Sequence, residues 1–145
     1  MCKQTVLLSL GSNMGDRNYY LSAAVEVIEQ EVGKILFVTA VVESEAWGFE
    51  APPFLNQLLV VETPLLPIPL LDLLQDIERR LGRKEKTEII AEKVVYHNRT
   101  IDIDILDYHN ITYHDTRLTL PHRHLHDRDY LHPLLQNIKS FGYSI

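Results

Sequence analysis

Apolar positions along the chain switch between two periods. Thr5–Leu10 is a short apolar run broken by Gly11-Ser12-Asn13, which predicts a buried strand ending in a turn. Asp16 is placed to cap a following helix. Tyr20, Leu21, Ala24, Ile28 and Val32 recur at helical spacing, and Gly33 closes that segment. Lys34–Glu43 is rich in β-branched residues and predicts a second strand. Ser44–Pro53, with Gly48, Pro52 and Pro53, reads as a loop, and Phe54–Glu62 as a third strand. Pro67 and Pro69 suit the first turn of a second helix. Its buried stripe is Leu70, Leu71, Leu74, Ile77 and Leu81, and Gly82 ends it.

Residues 83–99 form a long basic and polar stretch, expected to be a mobile loop; connections of that length in small domains are usually functional or disordered. Thr100–Leu106 then alternates apolar and polar, the period of a strand with one buried face. Ile111–Tyr113 suits a short extra strand, Pro121 opens a His-rich loop, and Arg128–Ile138 suits a short helix. The order of core elements is strand, helix, strand, strand, helix, strand. It predicts an α+β, ferredoxin-like βαββαβ sandwich: an antiparallel sheet with helices packed on one face.

The bulk numbers narrow the functional classes. The chain has 145 residues, of a size for one domain over 1–145 with one core. Its net charge of −6 argues against a general nucleic-acid binder. Cys2 is the only cysteine, so no intrachain disulfide can form, in keeping with a cytoplasmic protein. No apolar run is long enough to span a membrane. Yet eleven of the fourteen Lys and Arg lie between Arg79 and Lys139. That is either a solvated surface or a local anion site on an acidic protein.

Asp102 and Asp104 sit two apart on the alternating strand, so both side chains face the same way, with Cα atoms about 7 Å apart. Two like charges side by side call for a cation between them, and Mg²⁺ takes one or two carboxylates with water and phosphate oxygens. The plain solvent face of an amphipathic strand gives the same pattern. Arg99 and the basic stretch upstream favour the metal, because phosphoryl transfer combines a cation with guanidinium groups. His122, His124 and His126 alternate in the manner of a zinc site, but Pro121 precedes them and no thiolate is near.

Several segments in order sharpen this picture. They are Ser9-Leu10-Gly11-Ser12-Asn13, Phe54-Leu55-Asn56, Ile77-Glu78-Arg79-Arg80-Leu81-Gly82-Arg83, Arg99-Thr100-Ile101-Asp102-Ile103-Asp104-Ile105-Leu106, Leu118-Thr119-Leu120-Pro121-His122 and Arg128-Asp129-Tyr130. Together they closely resemble the 6-hydroxymethyl-7,8-dihydropterin pyrophosphokinase family, from about residue 5 to 138. The resemblance implies transfer of pyrophosphate from Mg-ATP to the hydroxymethyl arm of the pterin, with AMP released, in folate biosynthesis. It implies that Asp102 and Asp104 bind two Mg²⁺ ions and that Arg83 and Arg99 are catalytic, stabilising the transferring group. Asp104 is also a catalytic candidate, since it, or a water on its metal, could take the hydroxyl proton. The resemblance places Gln75, Glu78, Arg117, Thr119, His122 and Arg128 with the nucleotide, and Ser44, Trp47, Phe54, Asn56 and Tyr130 with the pterin.

Taken without the family, Gln75 and Glu78 read as an exposed helix face, and Phe54 and Tyr130 as ordinary core aromatics. Tyr96 stands where family members often carry a tryptophan, and Trp47 where they often carry a smaller aliphatic residue. The expected partners are ATP and the pterin, for a monomer that binds neither nucleic acid nor membrane. A non-catalytic ferredoxin-like nucleotide-binding module is the alternative.

Overall fold

A computed structural model describes residues 2–45, 52–82, 87–90, 93–96 and 100–144, with only the backbone described at 87–90 and 93–96. In chain order the elements are β1 (Gln4–Ser12), α1 (Arg17–Glu31), β2 (Lys34–Val38), β3 (Val42–Ser44), β4 (Phe54–Thr63), α2 (Pro67–Arg80), β5 (Thr87–Ile90), β6 (Lys93–Tyr96), β7 (Asp102–Tyr108), β8 (Tyr113–His114), β9 (Thr119–Leu120) and α3 (Leu131–Phe141). The main sheet runs β2-β4-β1-β7, with β3 pairing the start of β4. All its pairings are antiparallel. This is the ferredoxin-like order that the element pattern predicts.

Local chemistry explains the boundaries. The Asp16 carboxylate accepts from the Tyr19 N–H at 3.0 Å and caps α1. Gly33 is required because a Cβ there would stand 2.0 Å from the Glu62 carbonyl oxygen. Pro67 opens α2, where a missing N–H costs nothing. The single strand expected over Lys34–Glu43 is in fact two, split at Thr39. The Thr39 hydroxyl accepts from the Leu58 N–H at 2.9 Å and donates to the Ala40 carbonyl at 2.9 Å, so a side chain replaces a strand-pairing group at the break.

Within residues 83–99, expected as a long mobile loop, two short strands are described. Thr87–Ile90 and Lys93–Tyr96 pair antiparallel as a separate two-stranded sheet. Their β-branched and aromatic residues favour strand, and only two residues connect them. At the base of this excursion the Thr100 hydroxyl donates to the Leu81 carbonyl at 2.9 Å, tying its two ends together.

The two helices of the βαββαβ unit pack on one face, as expected, and the additional helix α3 covers the other. On the first face Val6, Leu8, Leu10, Leu59, Val61, Ile101, Ile103 and Ile105 pack under α1 and α2. On the second, Leu7, Leu58, Val60 and Leu106 pack under α3, through Leu131, Leu134, Leu135 and Ile138. The β1–β7 register shifts between Leu7 and Leu8, and this bulge ends the strict alternation at Leu106. It leaves Asp107 on the second face, where Tyr143, just past the left-handed cap Gly142, donates a short hydrogen bond to it.

The two outer strands are guarded by helix carboxylates. Glu29 of α1 accepts from the Ile35 N–H of β2 at 2.6 Å, and Glu78 of α2 from the Ile103 N–H of β7 at 2.7 Å. Each occupies a backbone donor that would otherwise invite another strand. Among the described residues no helix is long and apolar enough to cross a membrane.

Candidate active site

The second face of the sheet changes character along its length. Beneath α3 it is aliphatic. Farther along β1, β4 and β7 the same face carries Ser9, Gly11, Phe54, Asn56, Asp102 and Asp104, and all six line an open cleft. The pairing register sets Ser9 opposite Asp104 and Gly11 opposite both Asp102 and Asn56. Small residues across from the aspartates leave room above the sheet. The two carboxylates therefore share a face, as their spacing predicts, and both are half-buried.

Two clefts meet at Asp104. The larger, about 620 Å³, runs between α2 and the β8–β9 segment and is lined by Gln75, Glu78, Ile103, Asp104, Arg117, Thr119 and His122 among others. The smaller, about 540 Å³, lies over β1 and β4 and is lined by Ser44, Phe54, Asn56, Asp102, Asp104, Arg128 and Tyr130 among others. Both have the size of small-molecule sites. A ligand in either cleft reaches the same carboxylate.

The walls of the larger cleft are cross-linked. Arg117 bonds Asp72 at 2.6 Å and Gln75 at 3.4 Å, tying the β8–β9 loop to α2. The Thr119 hydroxyl lies 3.1 Å from His114 Nδ1. The His122 N–H donates to the Leu106 carbonyl at 2.8 Å and anchors the His-rich loop to β7. His122 Nδ1 accepts from the His124 backbone N–H at 3.1 Å, so the neutral ring carries its proton on Nε2. Burial first, and the Arg128 guanidinium second, push its pKa down to about 4. At neutral pH His122 is thus an uncharged donor.

In the smaller cleft, Asn56 Nδ2 donates to Ser44 Oγ at 2.7 Å and to the Val42 carbonyl at 3.2 Å. These bonds fix the amide and turn its Oδ1, an acceptor, toward Gly11. Arg128 Nη1 donates to the Tyr130 hydroxyl at 3.1 Å, and burial raises the pKa of that phenol. Phe54 stands at the start of β4 and Tyr130 at the N-cap of α3, so an aromatic ring borders the cleft from the sheet and another from the helix layer.

Residues 7–140 match the family model described as 7,8-dihydro-6-hydroxymethylpterin-pyrophosphokinase. The chain belongs to this family. Relatives named 2-amino-4-hydroxy-6-hydroxymethyldihydropteridine pyrophosphokinase are similar over most of its length. That of Porphyromonas gingivalis is 43% identical over 136 residues, covering 92% of this chain and 89% of the relative. That of Aquifex aeolicus is 42% identical over 136 residues, covering 91% and 79%. A solved structure described as HPPK-DHPS in complex with substrates aligns with TM-score 0.58 at 18% identity. It covers 77% of this chain, which spans only 28% of that longer one, so it speaks to the fold alone. The pyrophosphokinase transfers pyrophosphate from ATP to 6-hydroxymethyl-7,8-dihydropterin in folate biosynthesis, and the non-catalytic alternative is not favoured.

For this pyrophosphokinase the residues expected at the nucleotide gather well. Gln75, Glu78, Arg117, Thr119 and His122 share the larger cleft. Two placements differ from expectation. Glu78, read from sequence as exposed on its helix, is 3% exposed, because its carboxylate turns inward to the β7 edge. Arg128, expected with the nucleotide, lines the smaller cleft beside Tyr130. Of the residues expected at the pterin, Ser44, Phe54, Asn56 and Tyr130 come together there. Trp47, Arg83 and Arg99 lie outside the described residues. The three histidines fall in a turn-rich segment instead of a strand, so their alternation does not align them.

Sequence reasoning missed Ser9, Gly11, Glu43 and Asp129 in the smaller cleft, and His114, Asp115 and Arg123 in the larger. A signal existed for two of these. Ser9 and Gly11 are small residues two apart on an otherwise aliphatic strand, which marks a face where something else must sit. A Cβ on Gly11 would stand 3.3 Å from Phe54 Cδ1 and 3.5 Å from Asn56 Oδ1. Gly11→Ala is therefore expected to displace the Phe54 ring; if the pterin stacks on that ring, as the family resemblance implies, its KM should rise about three- to tenfold with the KM for ATP little changed. Steady-state kinetics with each substrate varied in turn checks this.

Proposed function

We propose that ATP occupies the larger cleft and the pterin the smaller, and that the hydroxymethyl oxygen reaches the β-phosphorus where the clefts meet. The observation that carries this reading is the sharing of Asp104 by both. Phe54 and Tyr130 hold the flat ring, and the Asn56 Oδ1 accepts from its N–H edge, with Ser44 and Trp47 completing that site. Gln75, Arg117, Thr119 and the uncharged His122 bind the nucleotide. Glu78 fixes the β7 edge between the aspartates, and Arg128 spans the junction from the pterin side.

Asp102 and Asp104 are the residues to hold magnesium, two ions by the family pattern. The donor set fits: two hard carboxylates on one face, with no cluster of three or more potential ligands among the described residues, so that phosphate and water oxygens complete the shell. When bound, magnesium neutralises charge on the phosphates.

The hydroxymethyl oxygen bonds to the β-phosphorus as the bond from that phosphorus to the α,β-bridging oxygen breaks. AMP departs with the bridging oxygen, and Asp104 accepts the hydroxyl proton. Arg83 and Arg99 stabilise the charge of the transferring group. We assign residues 1–145 to one catalytic domain acting as a cytoplasmic monomer. The guarded sheet edges favour the monomer and the single cysteine suits the compartment.

The cleft assignment is tested by paired kinetics. Asn56→Ala should raise the KM for the pterin by about tenfold or more and leave that for ATP near wild type, and Arg117→Ala should do the reverse. Crossed effects would overturn the assignment.

A further inference from the structure

Arg17 is the first residue of α1, directly after the Asp16 cap, and it is outside both clefts. It nevertheless touches β3 and the residue leading into β4, both at the rim of the smaller one. Its Nη1 donates to Glu43 Oε2 at 3.1 Å and to the Pro53 carbonyl at 2.9 Å. Glu43 is the middle residue of β3, and Pro53 immediately precedes Phe54 and β4. These strands pair Ser44 with Phe54 and Val42 with Asn56. One guanidinium thus bridges the two arms at the point where the pterin-facing residues begin.

A second contact from the same turn acts in the same direction. Asn13, which is 1% exposed, donates from Nδ2 to the Pro52 carbonyl at 3.2 Å. Consecutive carbonyls of the segment entering β4 are therefore held from the β1–α1 turn. That turn is itself anchored by the capped N-terminus of α1 and by β1, whose Gly11 lies under the Phe54 ring. A single surface ion pair would contribute little to stability. A charged donor that grips a carboxylate on one strand and a carbonyl on the next fixes their relative placement instead.

We infer that Arg17 is a positioning residue for the pterin: by bracing β3 against the start of β4 it sets the spacing of Ser44, Phe54 and Asn56. This inference rests on the assignment of the pterin to the smaller cleft. Loss of the brace lets the two arms shift without changing the nucleotide cleft or the shared aspartates. Its signature is a loss of pterin affinity with turnover at saturation kept.

The test compares Arg17→Met, Arg17→Lys, Asn56→Ala and Glu31→Gln by steady-state kinetics and thermal melting. Glu31→Gln is the control, since it weakens a well-formed pair with Arg80 at the far end of the same helix. Arg17→Met should raise the KM for the pterin about three- to tenfold, leaving the KM for ATP and kcat within twofold of wild type. Arg17→Lys keeps the charge but loses the fixed directions of the two Nη1 N–H bonds, and should recover only part of that affinity. The melting temperature of Arg17→Met should fall no more than that of Glu31→Gln. An unchanged pterin KM in Arg17→Met, with Asn56→Ala strongly raised, would overturn the brace and leave the cleft assignment standing. An unchanged pterin KM in both would overturn the cleft assignment and the brace with it.

Discussion

Replacing both Asp102 and Asp104 by alanine is expected to cut AMP formation from Mg-ATP and dihydropterin by about 10³-fold or more, with the fold intact. The size follows from geometry. Asp104 lines both clefts and Asp102 the smaller one beside it, so on the proposed assignment their joint loss would affect nucleotide placement and acceptor activation together. The fold should survive because neither side chain belongs to a hydrophobic core. The neighbours Ile101, Ile103 and Ile105 pack β7 against the first face without them. Circular dichroism and melting would check the fold, and AMP release by chromatography the turnover. Each single variant should retain more activity than the double. A well-folded double variant with near-native turnover would remove the aspartates from the chemistry.

The largest effect on stability away from the clefts is expected at Tyr143. Its hydroxyl donates to the buried Asp107 carboxylate, which also accepts from the Asn110 N–H at 3.1 Å. Tyr143→Phe removes a charge-assisted bond and leaves a carboxylate that is 4% exposed with weaker compensation. The expected cost is about 1.5–3 kcal/mol, read from denaturant unfolding at neutral pH. Burial first, and the bond to Asp107 second, raise the phenol pKa far above its usual value near 10. Raised in the folded state, this group binds its proton more tightly there than in the unfolded chain. Its stabilisation is fully present below about pH 10 and declines as pH rises beyond that, toward the folded-state value. The wild type should therefore lose its advantage over Tyr143→Phe in strong alkali. Equal stability of the two at pH 7 would show that the pair contributes nothing.

The main elements were legible because their periods differ. The helical recurrence of Leu21, Ala24 and Ile28 and the alternation of Ile101, Ile103 and Ile105 each report one buried face, and all six are core residues. The second face was harder to read. Leu7, Leu58, Val60 and Leu106 belong to strands that are apolar on both sides, and nothing local says which helix covers the far side. A bulge is likewise invisible in composition, so the displacement of Asp107 and its union with Tyr143, 36 residues away, could not be foreseen. The shared face of Asp102 and Asp104 followed from period alone. Their meeting with Phe54, Tyr130 and Arg117 depends on tertiary packing, and the family resemblance supplied it. Glu78 shows the limit: helix position suggested exposure, whereas the open edge of β7 drew its carboxylate inward.

The most direct test is a crystal structure of the ternary complex with magnesium, 6-hydroxymethyl-7,8-dihydropterin and an ATP analogue that has carbon in place of the α,β-bridging oxygen. The pterin should lie between Phe54 and Tyr130, the nucleotide beside Gln75 and Arg117, and the β-phosphate at the cleft junction, with Asp102 and Asp104 ligating magnesium. Phosphates held away from those aspartates, or a pterin bound among Gln75, Arg117 and Thr119, would contradict that arrangement.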